Sequence, residues 1–254
     1  MTVYPIEFTQ YLSDDEQHFS GWDFAWVSNT GRIDSEPLDW SYVSLLTSYM
    51  VSADCMLDMG TGGGELLSML RPLPRQVFAT EAYAPNVPIA RKRLEPLGIT
   101  VKALERDDAL PFADNQFDLV LNRHESYDPA ELWRIMKPGA HLITQQVGGT
   151  DCTDINDALG APHNDEFRHW TLAFAVEQLQ EQGFRIIRKQ EQFPIQRFYD
   201  IGALIYYLKA IEWQIPGFAP AHYMEQLYSI HLHIAAHGYF DVRQNRFLLI
   251  AERG

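Results

Sequence analysis

Residues 54–70 read DCMLDMGTGGGELLSML, and the fold can be read from them. A short apolar strand runs into Asp58, the chain turns through Gly60, Gly62, Gly63 and Gly64, and an apolar helix begins. Such a turn brings bare backbone N–H groups and a helix N-terminus up to a ligand lying over the strand end. A dinucleotide fingerprint would carry Gly60, Gly62 and then Gly or Ala at position 65, which holds Glu65 instead. The order here is D-x-G-x-G-x-G, with Asp58, Gly60, Gly62 and Gly64 in step and Thr61 inside the turn. In isolation a ligand-free strand-to-helix turn would read similarly, so the downstream residues carry the weight.

Composition narrows the class. Of 254 residues, 46% are hydrophobic and 21% charged, the balance of a globular chain with material for one large domain. No apolar run approaches the roughly 20 residues of a membrane span, and the N-terminus lacks the basic-then-apolar pattern of an export signal. Cys55 and Cys152 are the only cysteines, too few for a disulfide scaffold, so a cytoplasmic location is expected. The formal net charge is −14, with no concentrated basic stretch. Nucleic-acid binding draws much of its affinity from phosphate neutralisation, so neither nucleic acid nor membrane is the expected partner.

Residues 1–40 hold Phe19, Trp22, Phe24, Trp26 and Trp40 among breakers, and read as an irregular cap whose rings pack on the domain or wall a site. A second strand, Val77 to Thr80, ends at Glu81, with Ala82 beside it. A third lies near Ile99 to Leu104, followed by Glu105-Arg106-Asp107-Asp108-Ala109 and Leu110-Pro111-Phe112. Phe117 to Leu121 reads as a buried parallel strand ending in Asn122-Arg123-His124-Glu125-Ser126. Ligands of open α/β sheets sit beyond the carboxyl ends of the strands. His124 is therefore the candidate general base, because its ordinary pKa lies near working pH; the alternative is that these groups pair or hold a cofactor. Asp128-Pro129-Ala130-Glu131 is a helix start, and that helix ends at Met136-Lys137-Pro138-Gly139 before a strand over 141–144. Gln145 and Gln146 then leave the sheet, and residues 150–167 read as a polar loop over the pocket.

The motif D-x-G-x-G-x-G, the acid Glu81 about twenty residues on, acid-then-Ala before Leu-Pro-Phe, and a K-P-G turn resemble the motifs of class I S-adenosylmethionine (SAM) methyltransferases. F-S-G-W-D-F, N-R-H-E-S, T-Q-Q-V-G-G and R-F-Y-D-I-G-A-L-I-Y-Y-L-K-A-I are similar to a bacterial group of predicted methyltransferases without assigned substrate. The resemblance implies an α/β fold: a Rossmann-like, doubly wound, seven-stranded mixed sheet, the last strand antiparallel, with a helical insertion before it. It implies a single methyltransferase domain over 1–254, with a cap (1–40), a SAM-binding core (41–191), a helical insertion or lid (192–245) and a last strand (246–254). It further implies cofactor contacts from Asp58, Gly60, Thr61, Gly62, Gly64, Glu81, Ala82, Asp107 or Asp108, Ala109, Asn122 and Arg123. Glu81 would accept the ribose hydroxyls, and the 107–109 loop would meet the adenine.

In the insertion, Ile201, Leu204, Ile205, Leu208 and Ile211 recur at helical spacing, as do Tyr223, Leu227, Ile230 and Ile234. Two such helices cannot stand alone, and docking beside the site is expected, with Tyr199, Tyr206 and Tyr207 enclosing the acceptor. His231, His233 and His237 read as a solvated helix face, and no metal is assigned. The expected activity is methyl transfer from SAM, yielding S-adenosylhomocysteine (SAH), to a small molecule, by a monomer or homodimer. The competing expectations are a SAM-binding regulator without turnover and an RNA methyltransferase.

Overall fold

The computed structural model describes residues 3–19, 24–106 and 109–254. The chain opens with α1 (Ile6–Thr9), α2 (Ala25–Ser28) and β1 (Ile33–Ser35). Then come α3 (Tyr42–Met50), β2 (Cys55–Met59), α4 (Glu65–Met69), β3 (Gln76–Glu81), α5 (Val87–Leu94), β4 (Thr100–Ala103) and β5 (Phe117–Arg123). The middle carries α6 (Pro129–Ile135), β6 (Met136–Val147), α7 (Thr153–Leu159), α8 (Leu172–Glu181) and β7 (Phe184–Gln192). It closes with β8 (Ile195–Phe198), α9 (Ile201–Ala210), α10 (Met224–His237), β9 (Phe240–Arg243) and β10 (Arg246–Arg253).

By its contacts the chain divides into two compact units. One unit comprises 39–148, 170–191 and 246–254, and its seven-stranded sheet runs β4-β3-β2-β5-β6-β10-β7. β2, β3, β4, β5 and β6 pair in parallel, and β10 runs antiparallel to β6. From β2 the chain adds β3 and β4 on one side, then returns to place β5 on the other. The switch point, where open α/β sheets place their ligands, therefore lies between β2 and β5. β2 is buried at every residue, the mark of a strand covered on both faces. The helix over 129–135 starts where the sequence places it: Asp128 caps it by accepting the Ala130 N–H at 2.7 Å.

One expectation for this sheet is refined and one is overturned. The helix ends at Met136, its C-cap, as expected, and Lys137-Pro138-Gly139 then lies within β6, where Phe117 pairs Met136 and Leu119 pairs His141. The extra residues form a bulge, with Gly139 supplying φ 77. Gln145 and Gln146 likewise stay in the sheet, opposite Leu248 and Phe247 of β10.

The other unit comprises 1–38, 149–169 and 192–245. β8 is the centre of a small antiparallel sheet, flanked by β1 and β9. The helices α9 and α10 find their burial here: Leu204, Tyr206, Tyr207, Leu227 and Ile230 share a core with Phe8 and Ile155. Both helices thus bury their apolar stripes within this unit. Tyr206 (1% exposed) and Tyr207 (7%) are core residues, ringed by Phe24, Trp26 and Phe198, so they do not serve as an enclosing wall; Tyr199 is more exposed. The stretch 150–167, expected to be a loop, contributes α7, whose Ile155 and Leu159 enter the same core. Arg32 ties the front of this unit together, donating to both oxygens of Asp200 at 2.7 and 2.6 Å and to Asp14 at 2.6 Å. Asp200 also caps α9, and Gly202 leaves room for the ion pair: a Cβ there would come 2.0 Å from Asp14 Oδ2.

Candidate functional site

The site is assembled at the carboxyl ends of β2, β3, β5 and β6. Buried β2 delivers Asp58 and then turns through Gly60 (φ 62), Gly62 (φ 62) and Gly64 (φ 79), left-handed conformations that glycine adopts without strain. Gly64 opens α4 as its N-cap. A Cβ on Gly64 would meet Leu94 of α5 at 2.7 Å, so this glycine serves helix packing.

Glu81, 4% exposed, closes the turn from β3. One carboxylate oxygen accepts the Gly62 N–H at 2.6 Å and the other the Tyr83 N–H at 2.7 Å. Burial pushes the Glu81 pKa up, while the N–H groups of Tyr83, Gly62 and Ala82 pull it back. Each carboxylate oxygen retains lone pairs beyond these bonds. Asp58 is buried too, and burial raises its pKa to about 6, against the opposing effects of the Thr61 side chain and the Arg123 charge; Glu81 pushes it further up.

At the end of β5, Asn122 is fully buried. Its Oδ1 accepts from Thr144 Oγ1 at 3.1 Å and from Gln146 Nε2 at 2.6 Å, while its Nδ2 has no hydrogen-bond partner among the described residues. A buried amide with idle donors is costly unless a ligand meets them. Arg123 is exposed beside it. His124 follows with φ 65, and its backbone N–H donates to the Gln145 carbonyl at 2.8 Å. A non-glycine residue held left-handed at a strand end is a common functional-site feature. Desolvation of the ring, with the charges of Arg123 and Arg246, holds the His124 pKa well below its ordinary value. The exposed surface that the residue keeps opposes this desolvation, while the neighbouring Arg123 and Arg246 charges act in the same downward direction and favour the neutral imidazole.

The two adjacent amides are both engaged. Gln145 Oε1 accepts the Trp40 indole N–H at 2.9 Å, and its Nε2 lies 3.5 Å from His124 Nε2. Gln146 Nε2 donates to Asn122 Oδ1 and, at 3.0 Å, to the Glu125 carbonyl. Trp40 thus belongs to the strand-end cluster, whereas Phe19, Phe24 and Trp26 pack around Tyr206 in the other unit. Trp22 lies outside the described residues. Tyr42, which the sequence did not flag, lies 3.2 Å from the carbonyls of both Asn122 and Ile143. Nothing in its surroundings along the chain marks it, since the contact spans about 80 residues.

Asp107 and Asp108 lie outside the described residues. The loop after them is firmly held: Glu131 accepts the Leu110 N–H at 2.8 Å, and Arg134 donates to the carbonyls of Leu110 and Phe112. Ala109 is exposed at its start. Among the described residues, no group of three or more His, Cys, Asp or Glu is placed to hold a metal. Among them also, no helix is long and apolar enough to cross a membrane.

Residues 57–144, which carry the turn, Glu81 and the β5 cluster, match the family model for a methyltransferase domain. This stretch of the core is similar to a methyltransferase domain. Over 98 residues it is 37% identical to demethylmenaquinone methyltransferase of Thermus thermophilus, a match covering 35% of this chain and 44% of that protein. Over 116 residues it is 28% identical to ubiquinone biosynthesis O-methyltransferase of Roseobacter denitrificans, covering 42% and 47%. The chain thus spans about half the length of these relatives. A candidate methyltransferase from Bacillus halodurans C-125 superposes with a TM-score of 0.56 at 17% identity, covering 83% of this chain and 99% of that one. At that identity the likeness concerns the fold alone. The matched residues coincide with the parallel part of the seven-stranded sheet, and the small three-stranded sheet lies wholly outside them.

Proposed function

We propose that this protein transfers a methyl group from SAM to a small-molecule acceptor. The observation that carries the reading is the Glu81 carboxylate, buried at the end of β3 and seated on the Gly62 N–H of the D-x-G-x-G-x-G turn. The residues fit such a cofactor. The turn exposes backbone without side chains, Glu81 keeps lone pairs for donors such as ribose hydroxyls, and the buried Asn122 amide holds donors in reserve. Asp58, Gly60, Thr61, Gly62, Glu81, Ala82, Asn122 and Arg123 would hold it, with Ala109 and Asp107 or Asp108 at the base. Gly64 contributes through the packing that sets the turn.

The chemistry that SAM supplies when bound is a methyl already activated by its sulfonium charge. The protein's part is alignment and exclusion of water. His124, neutral at neutral pH, would take a proton from the acceptor at a ring nitrogen if that acceptor must lose one. The small-molecule preference rests on the acidic balance of the chain, which argues against a phosphate-rich polymer, and on the names of the quinone-pathway relatives. Calorimetry with SAM, followed by transfer of labelled methyl into small-molecule, RNA and protein fractions of an extract, tests the proposal. Binding with label in the small-molecule fraction is the expected result. No binding, or label confined to RNA, would refute it.

A further inference from the structure

The Glu125 side chain lies against Gly60, and it can do so only because Gly60 has no side chain. A Cβ on Gly60 would come within 2.4 Å of Glu125 Oε2 and 2.6 Å of its Cβ and Cγ. Gly60 is also left-handed, at φ 62. The residue following β5 is thus laid directly on the turn following β2, across the switch point of the sheet. Along this edge the order of groups is the loop after β4, then Glu81 at β3, the glycine turn at β2, and Glu125 beyond β5.

The order has a chemical meaning if the cofactor reading holds, and the inference rests on that reading. A nucleoside with its ribose at Glu81 and its base toward the loop after β4 must send its 5′ substituent across the turn toward β5. In SAM that substituent is an amino acid with a cationic α-ammonium. Glu125 is half-buried, and its side chain lies directly against the turn at Gly60. A half-buried carboxylate makes short, charge-assisted hydrogen bonds with an ammonium.

We propose that Glu125 is the specificity residue for the amino-acid end of the cofactor, its carboxylate accepting hydrogen bonds from the α-ammonium. It distinguishes adenosyl amino acids from adenosyl thioethers that lack that end. Gly60 is glycine partly to leave Glu125 its place.

The test is calorimetry of the parent, Glu125→Gln and Glu125→Asp with three probes: SAM, SAH and 5′-methylthioadenosine, which has no amino-acid portion. Glu125→Gln should weaken SAM and SAH alike, by roughly 10- to 100-fold, and change methylthioadenosine by less than about twofold. Glu125→Asp, which keeps the charge on a shorter arm, should fall between. Equal loss for all three probes would mean that Glu125 merely packs the turn, and would overturn the proposal. So would an unchanged SAM affinity, or a loss for SAM that spares SAH, since the carboxylate would then sense the sulfonium. Should Glu125→Gln not fold, the same ratios in Glu125→Asp decide. A parent that binds none of the three refutes the cofactor reading itself, an outcome distinct from a binding parent with an indifferent variant.

Discussion

The Gly62 N–H donates to the Glu81 carboxylate at 2.6 Å, so a single acid ties the end of β3 to the turn after β2. Glu81→Ala should therefore act twice. It should cost on the order of 2–3 kcal/mol of SAM affinity by removing charge-assisted bonds. It should also lower stability by about 1–3 kcal/mol, because the Gly62 and Tyr83 N–H groups lose their acceptor. Calorimetry and denaturant melts separate the two effects. Undiminished SAM binding would remove Glu81 from the ribose role.

Asp58 gives the unliganded protein a pH signature. Its pKa rises from 3.8 to about 6, first through burial. The folded carboxyl thus keeps its proton over a window in which the unfolded one has released it. The stability this contributes is present below about pH 4 and lost as pH climbs through 6, by about 3 kcal/mol at 1.36 kcal/mol per unit. Asp58→Asn should flatten that slope and raise the melting temperature at pH 7–8 while weakening SAM. Melts of both proteins across this range check it, and parallel slopes would contradict it.

For His124 the direction of the shift is opposite in consequence. A histidine held below its ordinary pKa favours the unfolded, protonated chain as pH falls through the unfolded value near 6.5, so stability is lost on acidification. NMR titration of the ring should give a midpoint well below that value. A midpoint at or above 6.5 would rule out the neutral, base-competent ring. His124→Gln should leave SAM affinity within about twofold. It should lower turnover by roughly 100-fold or more if the acceptor must be deprotonated.

In the unit built on α9, Gly202→Ala should be costly for a helical glycine. The new methyl would land 2.0 Å from Asp14 Oδ2 and 2.6 Å from Arg32 Nη2. Forcing that partly buried ion pair apart should cost about 1–3 kcal/mol without altering SAM affinity, and thermal melts paired with calorimetry would show both. A neutral substitution would mean that Arg32 shifts freely.

The features legible in the sequence are those set by local chemistry. The glycine turn, Glu81 and the apolar runs of β2 and β5 each sit within a few residues of their own signal, and the parallel order follows from their spacing. The three-stranded sheet had no such signal. β1 and β8 are three and four residues long, too short for alternation to show, and their pairing joins Ile33 to Phe198 across the chain. α7, at seven residues, is too short for its periodicity to stand out against a polar background. Glu125 was visible as part of a strand-end cluster, but its approach to Gly60 depends on two loops meeting and leaves no trace in either. Tyr206 and Tyr207 misled because a Tyr pair in an amphipathic helix reads as a binding wall when its partners are unknown.

The division of the chain into alternating segments bears on how the protein can be made. The path passes from one unit to the other five times, at 38/39, 148/149, 169/170, 191/192 and 245/246. No single cut therefore releases either unit intact. During synthesis, β6 and β7 must wait for β10, the strand that fits between them and emerges after all the others. Until then two strand edges face each other unpaired, the kind of surface that recruits neighbouring chains. A nascent chain stalled before Arg246 would be an aggregation hazard rather than a smaller working protein.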